Sequence, residues 1–174
     1  YYDDGDIRSC VDAIARNGAK LEPRHIRLND KGYENVNDQL QRLLSKQPNE
    51  LQNAYKFRYQ IISELEMNNN AIVYIMKDEK MKIIGLYPLS YQSVEFFEYK
   101  NEIWIQFYFS NGKKRFVPLK DCIHLTRFVS ENGIMGGNDK PIIKVLSIKH
   151  VLDEGIVNAI KTTQSIKGVI KSTQ

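Results

Sequence analysis

"ISELEMNNNAIVYIMKDEKMKIIGLYPL", residues 62–89, holds the transition on which the fold turns. Ahead of it, apolar residues recur at helical spacing; behind it, the period shortens to two. Asn68, Asn69 and Asn70 stand between. Three asparagines in a row could be a disordered polar tract, a chance cluster or a helix stop. In every case the change of period marks a boundary, because each period places its apolar side chains on one face of a different element.

Upstream of that boundary, Leu51, Ala54, Tyr55, Arg58, Ile61, Ile62 and Leu65 fall on one stripe, with Arg58 the only polar member. The spacing predicts a helix from about Glu50 to Met67. Asn49 with Gln52 three residues later resembles a capping box with Asn in the Ser/Thr place. Further back, "VNDQLQRLLSKQ" sets Val36, Leu40, Leu43 and Leu44 on one face and predicts a helix ending before Pro48. "DDGDIRSCVDAIARNG" spaces Ile7, Cys10, Val11 and Ile14 as one helical face, behind cap-competent aspartates and ahead of Asn17-Gly18. Between those helices, Pro23 in "AKLEPRHIRL" demotes an extended stretch to an edge or irregular strand.

Downstream, two short strands flank a polar turn at Lys77-Asp78-Glu79-Lys80, and "SVEFFEYKNEIWIQFYFSNGKKRFVPL" adds three strand-like runs. Asn111-Gly112 is the strongest hairpin signal in the chain, since both residues accept positive φ. "DCIHLTRF" offers a last strand, and Asn132-Gly133 with Gly136-Gly137 marks a loop. The final element starts near Asp139, a competent N-cap, with Pro141 in the tolerated first turn. Ile142, Val145, Leu146, Lys149, Leu152, Ile156 and Ile160 lie near one stripe of a helix of roughly six turns, ~30 Å or more in length. The fold class read from this layout is α+β: N-terminal helices, an antiparallel meander sheet and a long C-terminal helix.

Composition limits the function. The 174 residues are 42% apolar, enough for one buried core, and carry a net charge of +4. Residues 140–174 hold six lysines against Asp153 and Glu154, so the last fifth of the chain carries the whole imbalance. That is far from the composition of a dedicated nucleic-acid binder. Cys10 and Cys122 make no disulfide framework, and a reduced setting is the expectation. No apolar run reaches the length of a membrane span, so no membrane partner is expected. The chain opens on Tyr1 and closes on "GVIKSTQ", which reads as a piece of something longer.

Chemistry-bearing patterns are sparse. Cys122 and His124 share one face of a strand, but His25 and His150 sit on other elements without ligand spacing, so no metal is expected. "GIMGGNDK" lacks the spacing of a phosphate loop. Glu64 with Glu66, and Asp153 with Glu154, read as solvated helix faces, and no catalytic residue is assigned. The aromatic run of Phe96, Phe97, Tyr99, Trp104, Phe107, Tyr108 and Phe109 could be a base-stacking platform. Its flanking charges are Glu95, Glu98 and Glu102, however, which favours a core and interface sheet. Lys149, Lys161, Lys167 and Lys171 could meet nucleic-acid phosphate, or simply be solvated.

Taken in order, these segments resemble the tailed-bacteriophage portal proteins of lambdoid siphophages. "IRSCVDAIARNGAKLEPRHI" is similar to that family's opening helix and strand, and "LQRLLSKQPNELQNAYKFRYQIISELEMNNNAIVYI" to its Leu-Leu, Pro-Asn break, aromatic-bearing helix and Gly-Asn-Ala strand start. "IIGLYPLSYQSVEF", "FVPLKDCIHLTRF" and "GIMGGNDKPIIKVLSIKHVLDEGI" resemble its Leu-Tyr-Pro-Leu hairpin, its Asp-hydrophobic-hydrophobic-His strand, and its Gly-rich loop with long helix. Ser90-Tyr91 replaces the family's Asp-Pro, and Lys140 its Ser. Asn69 stands where the family has glycine. Asparagine is the residue next most tolerant of a left-handed helix end, so the triple asparagine is best read as a helix stop.

The resemblance implies a wing-like domain over 1–138, a stem-like helix over 139–166 and the start of a clip-like segment over 167–174. It implies a non-enzymatic, structural component of a ring, usually of twelve copies of itself, at the vertex of the virion head, assembled in the host cytoplasm. Double-stranded DNA would pass through the ring without being read for sequence, driven by the terminase large subunit, with the major capsid and head-completion proteins as further partners. No cofactor is implied. Lys149, Lys161, Lys167 and Lys171 are the candidate DNA-facing residues. Asn69, Asn111, Gly112 and Pro141 are the helix-stop and turn positions. The long lysine-bearing helix would project from the wing so that copies pack around a pore. The competing readings are a small basic nucleic-acid-binding module and a small enzyme.

Overall fold

The computed structural model describes residues 4–30, 32–129, 133–137 and 140–163, with side chains described from 144 onward in the last stretch. The chain divides into two compact units, Tyr1–Gly137 and Asn138–Gln174. The first holds helices α1 (Gly5–Gly18), α2 (Gln39–Ser45) and α3 (Ala54–Asn68), and eight strands. These are β1 (Ile26–Asn29), β2 (Gly32–Asn35), β3 (Asn70–Lys77), β4 (Ile83–Pro88), β5 (Ser93–Tyr99), β6 (Glu102–Tyr108), β7 (Lys114–Pro118) and β8 (Cys122–Thr126). The second unit holds α4 (Lys140–Thr163). The α+β class expected from the sequence is the class observed.

The first three helices each begin where a side chain can take up free amide groups. Asp4 caps α1 by accepting from the N–H of Asp6, and Asp38 caps α2 by accepting from Gln41. α3 starts later than its apolar pattern implies. Asn53, not Asn49, is its cap, accepting from Lys56 at 2.9 Å. Asn49 is buried instead in the bend before it, donating to the Leu86 carbonyl at 2.7 Å. Leu51 thus lies outside the helix and is exposed, and Phe57 takes the core position on α3. Arg58, the polar member of the stripe, donates to the carbonyls of Ala19 and Leu44, tying α3 to the ends of α1 and α2.

The strands do not form one meander. β5, β6 and β7 make an antiparallel meander of three, but β3 is the centre of a separate sheet ordered β4-β3-β8. β8 returns across the intervening meander to pair with β3, Asn70 opposite Thr126 and Tyr74 opposite Cys122. One face of β3 packs Val73 against Leu43, Phe57 and Leu86. The other packs Ile72 against Ile105 and Phe107 of the second sheet, both fully buried. A strand covered on both faces has no reason to alternate, and residues 70–73 are all buried.

The turns fall where the sequence places them but differ in conformation. The tight two-residue hairpin with positive φ at both positions is Lys100-Asn101, joining β5 to β6. At the predicted Asn111-Gly112 turn the loop is longer. Gly112 alone takes positive φ, 75°, while the Asn111 side chain accepts from the Lys113 N–H at 3.0 Å. That side-chain turn replaces the backbone conformation expected of Asn111. The β3–β4 loop falls where expected. Asp78 accepts from the N–H groups of Lys80 and Lys82, and Met81 sits at positive φ.

Candidate interaction surfaces

The helix stop is built as the sequence suggests and does more than stop a helix. Asn69 ends α3 at φ 55° and ψ 9°, the left-handed conformation that an asparagine tolerates. Its neighbour Asn70 starts β3 with its side chain buried. The Asn70 amide donates to the carbonyls of Asn68 and Gly136, both at 2.9 Å, and its oxygen accepts the Gly136 N–H at 2.8 Å. His124 Nε2 lies 3.1 Å from the same oxygen. An oxygen with no proton can only accept, so His124 carries its proton on Nε2. Burial holds the His124 pKa below its ordinary value, which favours the neutral ring.

Around this amide the loop of residues 133–137 is closed against the end of the sheet. The Gly137 N–H donates to Phe128, and Val129 bridges Gly136. A Cβ at Gly136 would lie 2.2 Å from the Asn69 carbonyl oxygen, so only glycine fits. Cys122 and His124 do share a face, as period two requires, and there His124 stacks on Phe96 at 5.5 Å. Among the described residues, no group of three or more His, Cys, Asp or Glu comes together to hold a metal ion.

Among the described residues, Lys149 and Lys161 do not share one face of α4. Lys167 and Lys171 lie outside the described residues, as do Asp139 and the clip-like segment; Pro141 is the second residue of α4. Lys149 stands 4.0 Å from Asp153 one turn on. At ~100° per residue, Lys161 lies about 120° round the helix axis from it. Lys149 borders the apolar side of α4, whose Val145, Ile148, Leu152, Ile156 and Ile160 are exposed. Lys161 shares the opposite side with His150 and Glu154. No helix among the described residues is long and apolar enough to cross a membrane.

The aromatic strands divide their rings between two faces. Phe96 and Phe107 point into the core, whereas Phe97, Tyr99, Trp104, Tyr108 and Phe116 share the outer face of the β5–β6–β7 sheet. Phe97 meets Phe116 edge-on at 6.0 Å, and Tyr99 meets Trp104 at 6.2 Å. Lys100 and Lys114 lie over the rings of Tyr99 and Tyr108. Tyr108 donates to Glu95, which raises its pKa. Tyr99 and Phe116 are more than half exposed. The latch between Asn70 and Gly136, and the division of the aromatic run between two faces, escaped the sequence reading, since only pairing across many residues reveals them.

A polar cavity of about 310 Å³ between α1 and α3 is lined by Arg8, Asp12, Tyr59 and Ser63. Asp12 there is engaged by Arg16 and by the Tyr59 hydroxyl, which hold its pKa below the usual carboxylate range. That is the electrostatics of a structural ion pair.

Set beside known proteins, residues 6–174 match the family described as phage portal protein. Among solved structures, the neck of an empty gene transfer agent particle, computed with C6 symmetry, shares the fold at a TM-score of 0.70 and 13% identity. It is covered over 94% of this chain and 44% of its own. The virion of a native gene transfer agent particle gives 0.64 and 11%, covering 93% of this chain and 42% of its own. The chain therefore spans less than half the length of these structural relatives. A comparison with curated proteins finds no match.

Proposed function

The chain belongs to the phage portal protein family, and from that premise we propose that it supplies the wing-like body and stem-like helix of a portal ring subunit. The ring is the conduit at the virion head vertex through which double-stranded DNA is packaged and later ejected. The observation that carries this reading is the extent of the family match, which runs through both units of the chain. The family is a structural, non-enzymatic one, and its match does not favour a small basic nucleic-acid-binding module.

A neck with sixfold symmetry is made of repeated copies, and a sixfold axis is contained in a twelvefold one. That supports a closed ring of this chain and is compatible with twelve subunits. The terminase large subunit, the major capsid protein and head-completion proteins are its proposed partners, with assembly in the host cytoplasm. In the domain scheme, 1–138 is the wing, 139–166 the stem and 167–174 the start of the clip. Lys149, Lys161, Lys167 and Lys171 are the proposed phosphate contacts, positioning DNA without reading it. Of the two described, Lys161 is the better placed, because Lys149 is shared with Asp153 and borders the apolar side of α4.

Negative-stain electron microscopy of the full-length protein tests the proposal. Annular particles are expected; monomers at high concentration overturn it. Replacing Lys161 by Glu should leave the rings intact and lower the yield of DNA-filled heads.

A further inference from the structure

β1 and β2 form a hairpin that the described residues of its own unit leave uncovered. All eight strand residues are exposed. The hairpin is nonetheless amphipathic. Its register sets Leu28 opposite Tyr33, on the same side as Ile26, and these are 69%, 76% and 49% exposed. Arg27 and Glu34 pair on the other side, where Asn29 donates to Glu34. A lone two-stranded hairpin is marginal in water, and its stability comes from packing its apolar side on something.

The same unit carries a second bare surface of a different kind, the outer aromatic face of β5–β6–β7. Tyr99 and Phe116 stand open on it. The Trp104 Nε1 beneath them is buried with no acceptor among the described residues. The strands also differ in sign. Residues 24–29, β1 with its lead-in, carry Arg24 and Arg27 and no acid, whereas β5 carries no base and sets Glu95 on the aromatic face beside Phe97. All three charged residues are exposed.

We infer that the β1–β2 hairpin docks on the outer aromatic face of a second copy of this chain, with Leu28 and Tyr33 on the rings and basic β1 toward acidic β5. This rests on the ring reading above. A ring closed by rotation needs two unlike, complementary patches on every subunit, and one unit of this chain bares both. A foreign partner would account for one of them only. Opposite charge at the rim sets the orientation, and the apolar centre supplies the attraction. The hairpin face is small against the ~800 Å² per partner of a standard interface. The contact therefore holds within an assembled ring rather than between two isolated chains.

A photo-crosslinking experiment on the full-length, ring-forming protein decides it. Tyr33 is replaced by a photoreactive benzoyl-phenylalanine, and rings are assembled from equal amounts of isotope-light and isotope-heavy subunits. Mixed-isotope crosslinks from position 33 to residues 93–118 are expected. Crosslinks within one copy, to another segment, to another protein, or none at all, overturn the inference. In parallel, Arg24→Glu should lower ring yield by roughly tenfold at limiting concentration, with Arg24→Glu/Glu95→Arg restoring it. Circular dichroism of the single variant should be unchanged, since Arg24 is exposed. Rings that form without the crosslink defeat this inference alone; absence of rings from the unmodified protein defeats the portal reading as well.

Discussion

The side chain of Asn70 pairs with the backbone of Gly136 as one strand pairs with another. It donates to the carbonyl at 2.9 Å and accepts the N–H at 2.8 Å, across 66 residues of sequence. A carboxamide has the donor and acceptor geometry of a peptide group, so one side chain extends the hydrogen bonding of the sheet by a residue. The latched glycine comes just before the second unit begins at Asn138.

Asn70→Ala should destabilise the first unit by about 3 kcal/mol, because the Gly136 groups and the half-buried His124 lose their partners together. Asn70→Asp should cost more, since it turns a donor into a negative oxygen facing the Asn68 and Gly136 carbonyls. Urea denaturation of the two variants beside the parent chain measures the order.

Glycines of the same loop should differ in kind. Gly136→Ala places a methyl 2.2 Å from the Asn69 oxygen and 2.4 Å from that of Arg127, and should cost roughly 3 kcal/mol or more. Gly133→Ala meets nothing within 4 Å but forces a side chain to φ 71°, a cost of about 1 kcal/mol. Thermal melts of both variants separate the steric cost from the conformational one.

Stability should fall on mild acidification through His124. Its folded pKa is depressed by burial, so the unfolded chain takes up the proton first. The contribution is fully present above the ordinary histidine value of about 6.5 and is lost as pH falls below it. Asp12 and Asp38 are held below the usual carboxylate range and titrate in a lower window. Unfolding free energy followed from pH 7.5 down to 5 should therefore slope in the parent chain and flatten in His124→Gln.

The two thiols should react unequally. Cys10 is exposed on α1, whereas burial pushes the Cys122 pKa up to about 11. At pH 8 a maleimide should label Cys10 rapidly in the folded chain, and Cys122 only once denaturant is added. Peptide mapping of the adducts gives the order; early modification of Cys122 would show that β8 opens readily.

Much of this was legible because some signals are local. Asp4 and the apolar spacing after it make α1, and the swap of period around Asn69 marks both the end of α3 and the start of β3. Capping was harder. Asn49 and Asn53 are equally able to cap, and only the burial of Asn49 against Leu86 decides that α3 begins four residues later. Turn chemistry was legible in place but not in type: Asn111-Gly112 does join β6 to β7, yet the positive-φ pair fell at Lys100-Asn101, where the register of β5 on β6 required it.

By itself, then, the sequence determined the α+β class, the order and hand-over of its main elements, the left-handed stop at Asn69 and the charge of the tail. These depend on side chains within a turn or two of one another. Tertiary structure alone decided that β1 pairs with β2 in a hairpin of its own, that β8 returns to β3, that strands β3 to β8 split into two stacked sheets, and that Asn70 reaches Gly136. Such pairings are set by competition among distant apolar faces for burial. A run such as Ala71-Ile72-Val73 is equally suited to one buried face or to two, until the other layers are in place.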